Sequence, residues 1–332
     1  MSQNSGTGAT SSIQHQQEDR SNAIRIRADL AEAKALRTFT PSQAVIARSA
    51  GAYHWTADDR KLADFSSGVL VANLGHNPAA WWRRVLEYLE LGELSTDAPY
   101  INANPLTAYN AITDLDVSAS ERLVSNLRQE TGGKRLEQVM WAASGSEAIQ
   151  KALWVALARN PQRDIILATR HGFHGKKGLA GAVTGTEQDK ERDSRVRFLT
   201  LPTAECIDVE RRQQPIDLAP YEQELARLAD EHGSRLCCVI TEPYLGGGGS
   251  FHPHPEYLQL LQRFCRERDL VFILDEVQSN FGRTGTMYAF THYGIEPDIV
   301  CLGKGLGNGV PVSAAVGSRT LFAGLKYGEA SD

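Results

Sequence analysis

Leu270-Val271-Phe272-Ile273-Leu274-Asp275-Glu276-Val277-Gln278 is the stretch on which the fold turns. Five apolar residues in succession, with no polar alternation, suit a strand buried on both faces, as in the parallel sheet of an α/β domain. An acid that closes so apolar a run is costly to desolvate unless it meets a cation. Asp275 therefore reads in three ways: as a metal ligand, as the partner of a protonated ring nitrogen, or as half of a structural salt bridge, for example with Arg283.

The same pattern recurs on both sides. Short apolar runs at Val139–Ala143, Ile165–Thr169, Val196–Leu201, Leu236–Thr241, Ile299–Leu302 and Val312–Val316 alternate with helical patterns over 146–158, 176–183, 218–232 and 256–267. Such alternation predicts βαβ units around a mostly parallel sheet with helices on both faces. Ligands of these sheets bind beyond the carboxyl ends of the strands. The residues that follow each run are thus the candidates for chemistry.

After Ile299–Leu302 comes Gly303-Lys304-Gly305. A phosphate loop would need a glycine five positions earlier and Ser or Thr in place of Gly305. A lysine between glycines at a strand end suits approach by a carbonyl ligand, and desolvation there favours the neutral amine that attacks a carbonyl. After Val139–Ala143 comes Ser144-Gly145-Ser146-Glu147-Ala148, which reads either as an anion seat at a helix N-terminus or as a plain capping box. After Ile165–Thr169 comes Arg170-His171-Gly172-Phe173-His174-Gly175, where an aromatic between glycines can form a plate for a flat ring. His171 and His174 lack a third ligand at a recognisable spacing, so no metal is assigned. Phosphate seat, plate, acid and lysine together are the groups that pyridoxal phosphate requires.

The totals narrow the field. A net charge of −5 carries no basic surplus for nucleic acid, and no apolar run reaches the length of a membrane span. Cys206, Cys237, Cys238, Cys265 and Cys301 form no C-x-x-C pair, which favours reduced thiols and a cytoplasmic setting. Residues 1–22, rich in Ser, Gly, Gln and Asn, read as a disordered tail, Ala28 to Leu36 as a short helix, and 43–65 as alternating strands.

From about Phe39 onward the chain resembles the class III (omega) aminotransferases of fold type I. The resemblance rests on the order and spacing of Ser144–Ala148, Phe173-His174-Gly175, Thr241-Glu242-Pro243, Asp275–Gln278, Phe281-Gly282-Arg283-Thr284-Gly285 and Gly303-Lys304-Gly305. It implies a small-domain segment over 23–65, a large cofactor domain over 66–332, and a homodimer with a shared active site. It implies pyridoxal 5′-phosphate as cofactor, with Gly145 and Ser146 on its phosphate and Phe173 and Val277 on the ring faces. His174 counts among the cofactor contacts, Gln278 meets the ring hydroxyl, and Asp275 keeps the ring nitrogen protonated. Lys304 holds the cofactor and carries the proton.

The expected reaction moves an amino group from an omega-amine or amino acid donor (4-aminobutyrate, diamine or ornithine-like) to a 2-oxo acid such as 2-oxoglutarate. The alternatives are a same-fold aminomutase, racemase or decarboxylase, or a non-catalytic subunit. In relatives that use 2-oxoglutarate, a glutamate at the position of Glu242 pairs with an arginine and switches the site between donors. Lys176 stands where relatives often carry arginine, and Val69 falls at a pocket wall. The departures are Tyr244-Leu245-Gly246-Gly247-Gly248-Gly249 and Asn280, where the family usually has glycine. Family members continue into a C-terminal small domain, so the sequence reads as part of a longer enzyme.

Overall fold

The structure, a computed structural model, describes residues 13–33, 40–91, 99–106, 111–185, 193–326 and 328–330. The chain divides into two units, residues 1–69 with 74–102, and residues 70–73 with 103–332. The boundary expected at 65/66 thus falls inside the first unit, which also takes in 74–102.

In the first unit, β1 (Ile46–Ala50), β2 (Tyr53–Thr56) and β3 (Lys61–Ala63) form an antiparallel sheet in that order, within the region read as strands. The helix expected over 28–36 instead runs Asp19–Ala31, so the last residues of the expected tail are helical. Residues 1–12 and 34–39 lie outside the described residues. The displacement has a tertiary cause. Asp58 accepts the first-turn N–H groups of Arg20 (2.9 Å) and Ser21 (3.0 Å), doing from a distance what a local cap would do. Arg25, buried on this helix, pairs with Glu18 at 2.6 Å.

The second unit holds β4 (Gln138–Ala142), β5 (Ile165–Thr169), β6 (Val196–Leu199), β7 (Leu236–Thr241), β8 (Val271–Asp275), β9 (Ile299–Leu302) and β10 (Ser313–Gly317). They form one sheet in the order β4-β10-β9-β8-β7-β5-β6. Pairs β9/β8, β8/β7, β7/β5 and β5/β6 are parallel, and β10 runs antiparallel to both its neighbours. The expected mostly parallel sheet is present, with strand ends shifted by a residue or two.

Alternate residues of the strands face opposite layers. Leu167, Val239, Phe272 and Leu274 join one core with Tyr257, Leu261 and Phe264 of the helix Pro255–Arg268. Ile166, Ile240 and Ile273 join the other with Ile149, Leu153 and Val155 of the helix Gly145–Arg159. Burying both faces of the central strands explains why their sequences are continuous apolar runs. All five cysteines are buried and unpaired. Among the described residues no helix is long and apolar enough to cross a membrane.

Candidate active site

Register brings the strand ends together. Thr241 pairs with Leu274, and Asp275 pairs with Cys301. The segments that follow β5, β7, β8 and β9 therefore emerge along one edge of the sheet.

Asp275 ends β8 almost wholly buried, and His174, from the loop after β5, supplies the donor it needs. His174 Nδ1 stands 2.8 Å from Asp275 Oδ2, while Asp275 Oδ1 accepts the Val277 N–H at 2.9 Å. An ionised carboxylate only accepts, so this contact places the imidazole proton on Nδ1. The salt bridge to Arg283 weighed from the sequence does not form. Arg283 Nη2 donates to Asn73 Oδ1 at 2.6 Å instead. His174 is itself fixed through its backbone: Thr184 Oγ1 accepts the N–H groups of His174 (3.0 Å) and Gly175 (3.2 Å).

Glu242, the residue after β7, is buried and accepts the Phe173 N–H at 2.7 Å. Burial, reinforced by the charge of Asp275, pushes its carboxyl well above the usual range; the Phe173 N–H and the charge of Lys304 act in the opposite direction. Glu242 thus ties the Phe173 loop to β7 and lies within the electrostatic reach of both Asp275 and Lys304. Phe173 itself remains 38% exposed, which leaves its ring available.

The helix Gly145–Arg159 opens directly after β4. Ser144 Oγ accepts the Glu147 N–H at 3.3 Å, and Glu147 Oε2 reaches back to the Ala143 N–H at 3.0 Å. Half of the capping-box reading holds: Ser144 caps the helix, while the Glu147 carboxylate returns to the N–H of Ala143, one residue before the N-cap. The cap does not use up the anion seat. Among the described residues, the N–H groups of Gly145 and Ser146 have no protein acceptor.

Glycines set the close approaches. A Cβ on Gly145 would lie 2.7 Å from Val277 Cγ1, and one on Gly303 would lie 3.2 Å from the same atom. The Val277 side chain is thus packed between the backbone of the helix start and that of the lysine turn. The run Gly246–Gly249 has the same purpose. Cβ atoms on Gly246, Gly247 and Gly248 would come within 1.7 Å of Gln278 Nε2, 2.8 Å of Phe173 Cβ and 2.0 Å of the His171 carbonyl oxygen. The run lets one loop press against Gln278, Phe173 and the backbone beside it.

Lys304 sits half-buried in a 3-10 turn with φ +46°, the left-handed region that costs a side-chain-bearing residue about 1–2 kcal/mol. The turn is held from both sides. The Gly303 carbonyl accepts the Leu306 N–H at 3.0 Å and Asn280 Nδ2 at 3.1 Å, and the same Nδ2 donates to the Glu276 carbonyl at 2.5 Å. Asn280, one of the departures from the family pattern, therefore links the loop after Asp275 to the residue before Lys304.

Of the substrate candidates, Val69 belongs to the first unit and is 70% exposed, and Lys176 is an exposed side chain directly after Gly175. Sequence reasoning missed Glu276 and Thr184. Glu276 is buried and accepts Ser279 Oγ (2.6 Å) and the N–H groups of Ala289 (3.0 Å) and Phe290 (2.6 Å), which fastens the segment after Asp275. Its place beside Asp275 was the available signal. Nothing in the sequence marked Thr184.

A family model described as aminotransferase class-III matches residues 37–331. The chain is 34% identical over 281 residues to a 2-aminoadipate transaminase of Pseudomonas putida, covering 82% of this chain and 62% of that protein. It is 27% identical to an acetylornithine aminotransferase of Vibrio parahaemolyticus, covering 92% of this chain and 68% of that one. Among solved structures, a Bacillus anthracis aminotransferase superposes with a TM-score of 0.77 at 22% identity, over 94% of this chain and 68% of that one. An amine transaminase from an uncultivated Pseudomonas species, solved in a PLP-bound form, superposes at 0.72 with 25% identity, over 90% of this chain and 68% of that one. The chain thus spans roughly two thirds of the length of these proteins, and 62% of the Pseudomonas putida one.

Proposed function

The chain belongs to the class III aminotransferases, and from that premise we propose that it binds pyridoxal 5′-phosphate along the strand-end edge and transfers amino groups to a 2-oxo acid. One observation carries the reading: Asp275 ends β8 and Lys304 lies just past the end of the neighbouring β9, with the acid buried and held by His174.

The residues present fit the cofactor. Each Asp275 oxygen has one partner among the described residues and can accept another bond, as a protonated ring nitrogen requires. Among the described residues, the N–H groups of Gly145 and Ser146 are without protein acceptors at a helix N-terminus, which suits a phosphate. Phe173 and Val277 offer an aromatic and an aliphatic surface for the two ring faces, and Gln278 an amide for the ring hydroxyl.

Bound, the cofactor supplies an electron sink that acidifies the Cα–H of an amine joined to its carbonyl carbon. Asp275 would hold the proton on the ring nitrogen, and His174 would keep the carboxylate aimed there. Lys304 Nζ would hold the cofactor before the donor enters and afterwards carry the proton from the donor carbon. The left-handed turn at Lys304, fixed by Asn280 and the Leu306 N–H, restricts where Nζ can go.

The donor is an omega-amine or amino acid, 4-aminobutyrate, a diamine or an ornithine derivative, and the acceptor is 2-oxoglutarate. The names of the relatives, which include a succinylornithine transaminase of Yersinia enterocolitica, support an amine-bearing acid. Glu242 at the Phe173 loop supports a site that accommodates both donor and 2-oxoglutarate. The reading includes a homodimer, supported by the solvent-facing apolar side chains Leu106 and Ile112, 87% and 85% exposed. Spectra of the cofactor-loaded protein with a panel of amines and no acceptor test the reaction. Conversion to the amine form of the cofactor with omega-amines or ornithine derivatives is expected. Conversion with none of the panel would point to an aminomutase, racemase or decarboxylase and sink the proposal.

A further inference from the structure

The first unit gathers three metal-ligating side chains that the aminotransferase reading does not use. His54 lies on β2, Asp64 directly follows β3, and His76 sits in the loop that returns to β1. Their ligand atoms all lie within 4.8 Å of one another, the one such grouping among the described residues. His54 Nε2 stands 3.3 Å and His76 Nε2 2.6 Å from Asp64 Oδ2.

Hydrogen bonds tie the scaffold together around them. His76 and Gly51 exchange both backbone hydrogen bonds at 2.9 Å, and the Asp64 N–H donates to the Ala52 carbonyl at 2.9 Å. The His54 ring is oriented from behind by Ser49 Oγ, 2.6 Å from Nδ1, which is how a ligating imidazole is commonly fixed with its other nitrogen free for a metal. Asp64 is anchored by the N–H and Oγ of Ser66 (2.8 and 2.7 Å) and the Gly68 N–H (2.9 Å). Both imidazole side chains are 18% exposed, so an ion can reach them and a water can complete the shell.

We propose that His54, Asp64 and His76 form a binding site for a zinc-class divalent cation. Two imidazoles and a carboxylate are a zinc ligand set, with a fourth position left for water. Ligands around a tetrahedral zinc ion stand roughly 3.3 Å apart, given metal–ligand distances of about 2.0–2.1 Å. The His54–Asp64 spacing of 3.3 Å already matches. The His76–Asp64 spacing is that of a hydrogen bond, so the ion takes the place of the proton between them and the His76 ring retreats by roughly 0.7 Å. The sequence concealed this set because its members follow no zinc-ligand spacing.

The test is a titration of the full chain, stripped with a chelator, with Co2+ and then Zn2+. One equivalent per chain with the visible absorption of four-coordinate cobalt is expected, weakened at least tenfold in His54→Gln and in His76→Gln. Glutamine keeps a donor for Asp64, so these variants preserve the hydrogen bonds that hold the fold, and far-ultraviolet circular dichroism checks that they do. His232→Gln, at a histidine of the second unit that is not among the three proposed ligands, should bind like the parent. No stoichiometric binding, or equal binding by the His54 and His76 variants and the parent, would overturn the proposal.

Discussion

His174 Nδ1 and Asp275 Oδ2 meet at 2.8 Å with both side chains buried, which joins the loop after β5 to the last residue of β8, 101 residues away in the chain. The pair gives the buried acid its charge-assisted partner and fixes the direction in which its remaining lone pairs point. Asp275→Asn should keep the bound cofactor and lose activity on the order of a hundredfold, since a neutral amide no longer holds a proton on the ring nitrogen. His174→Ala should cost less activity but more stability, about 1–3 kcal/mol, because it leaves a buried carboxylate oxygen without its donor. Steady-state kinetics beside cofactor absorbance would separate the two. Activity of Asp275→Asn within about threefold of the parent would make Asp275 a structural residue.

Glu276 gives a prediction in pH. Burial raises its carboxyl from 4.5 to about 7, against the hydrogen bonds from Ser279, Ala289 and Phe290 that favour ionisation. A carboxyl that binds its proton more tightly in the folded chain contributes stability that is complete below pH 4.5 and fades as the pH rises through 7. The loss is on the order of 3 kcal/mol. Glu276→Gln cannot titrate, so its stability should gain on that of the parent between pH 5 and 8 in urea unfolding. Parallel curves over that window would contradict the assignment.

The glycine run offers a paired comparison. At Gly246 the obstacle to a methyl group is the far end of the Gln278 side chain, which can swing away. At Gly248 it is the His171 carbonyl, 2.0 Å from the new Cβ, which cannot move without the loop that carries Phe173. Gly248→Ala should therefore destabilise the protein by about 1–3 kcal/mol and Gly246→Ala by under about 1 kcal/mol, read by denaturant unfolding. The reverse order would mean that the loop is not packed as described.

The parts of this fold that were legible in sequence are those in which one strand or helix carries its own signal. Val271 to Leu274 read as a doubly buried strand, and they form one, with Asp275 closing it beside the end of β9. Lys304 between glycines is legible for the same reason. What could not be read depends on partners brought together by folding. The Asp19–Ala31 helix takes its caps from Asp58, and its own sequence is polar enough to pass for a tail. The helices Ala79–Tyr88 and Asp114–Gln129 do carry apolar residues at helical spacing, Trp81, Trp82, Val85 and Leu86 in the first and Leu115, Leu123, Val124 and Leu127 in the second, but they lie outside the strand–helix alternation that identifies the other helices. His174 was legible as part of a motif but not as the partner of Asp275, a role that Arg283 could equally have filled on paper. The antiparallel direction of β10 is a matter of connection rather than of composition, and no residue announces it.

The central claim is that Lys304 is the residue that holds the cofactor. Reducing the cofactor-loaded protein with borohydride would make the lysine–cofactor bond permanent, and peptide mapping would locate it. The account predicts a single pyridoxyl label on Lys304, whose turn follows β9 beside the buried end of β8. A label on Lys176, Lys177 or Lys326 in its place would contradict it.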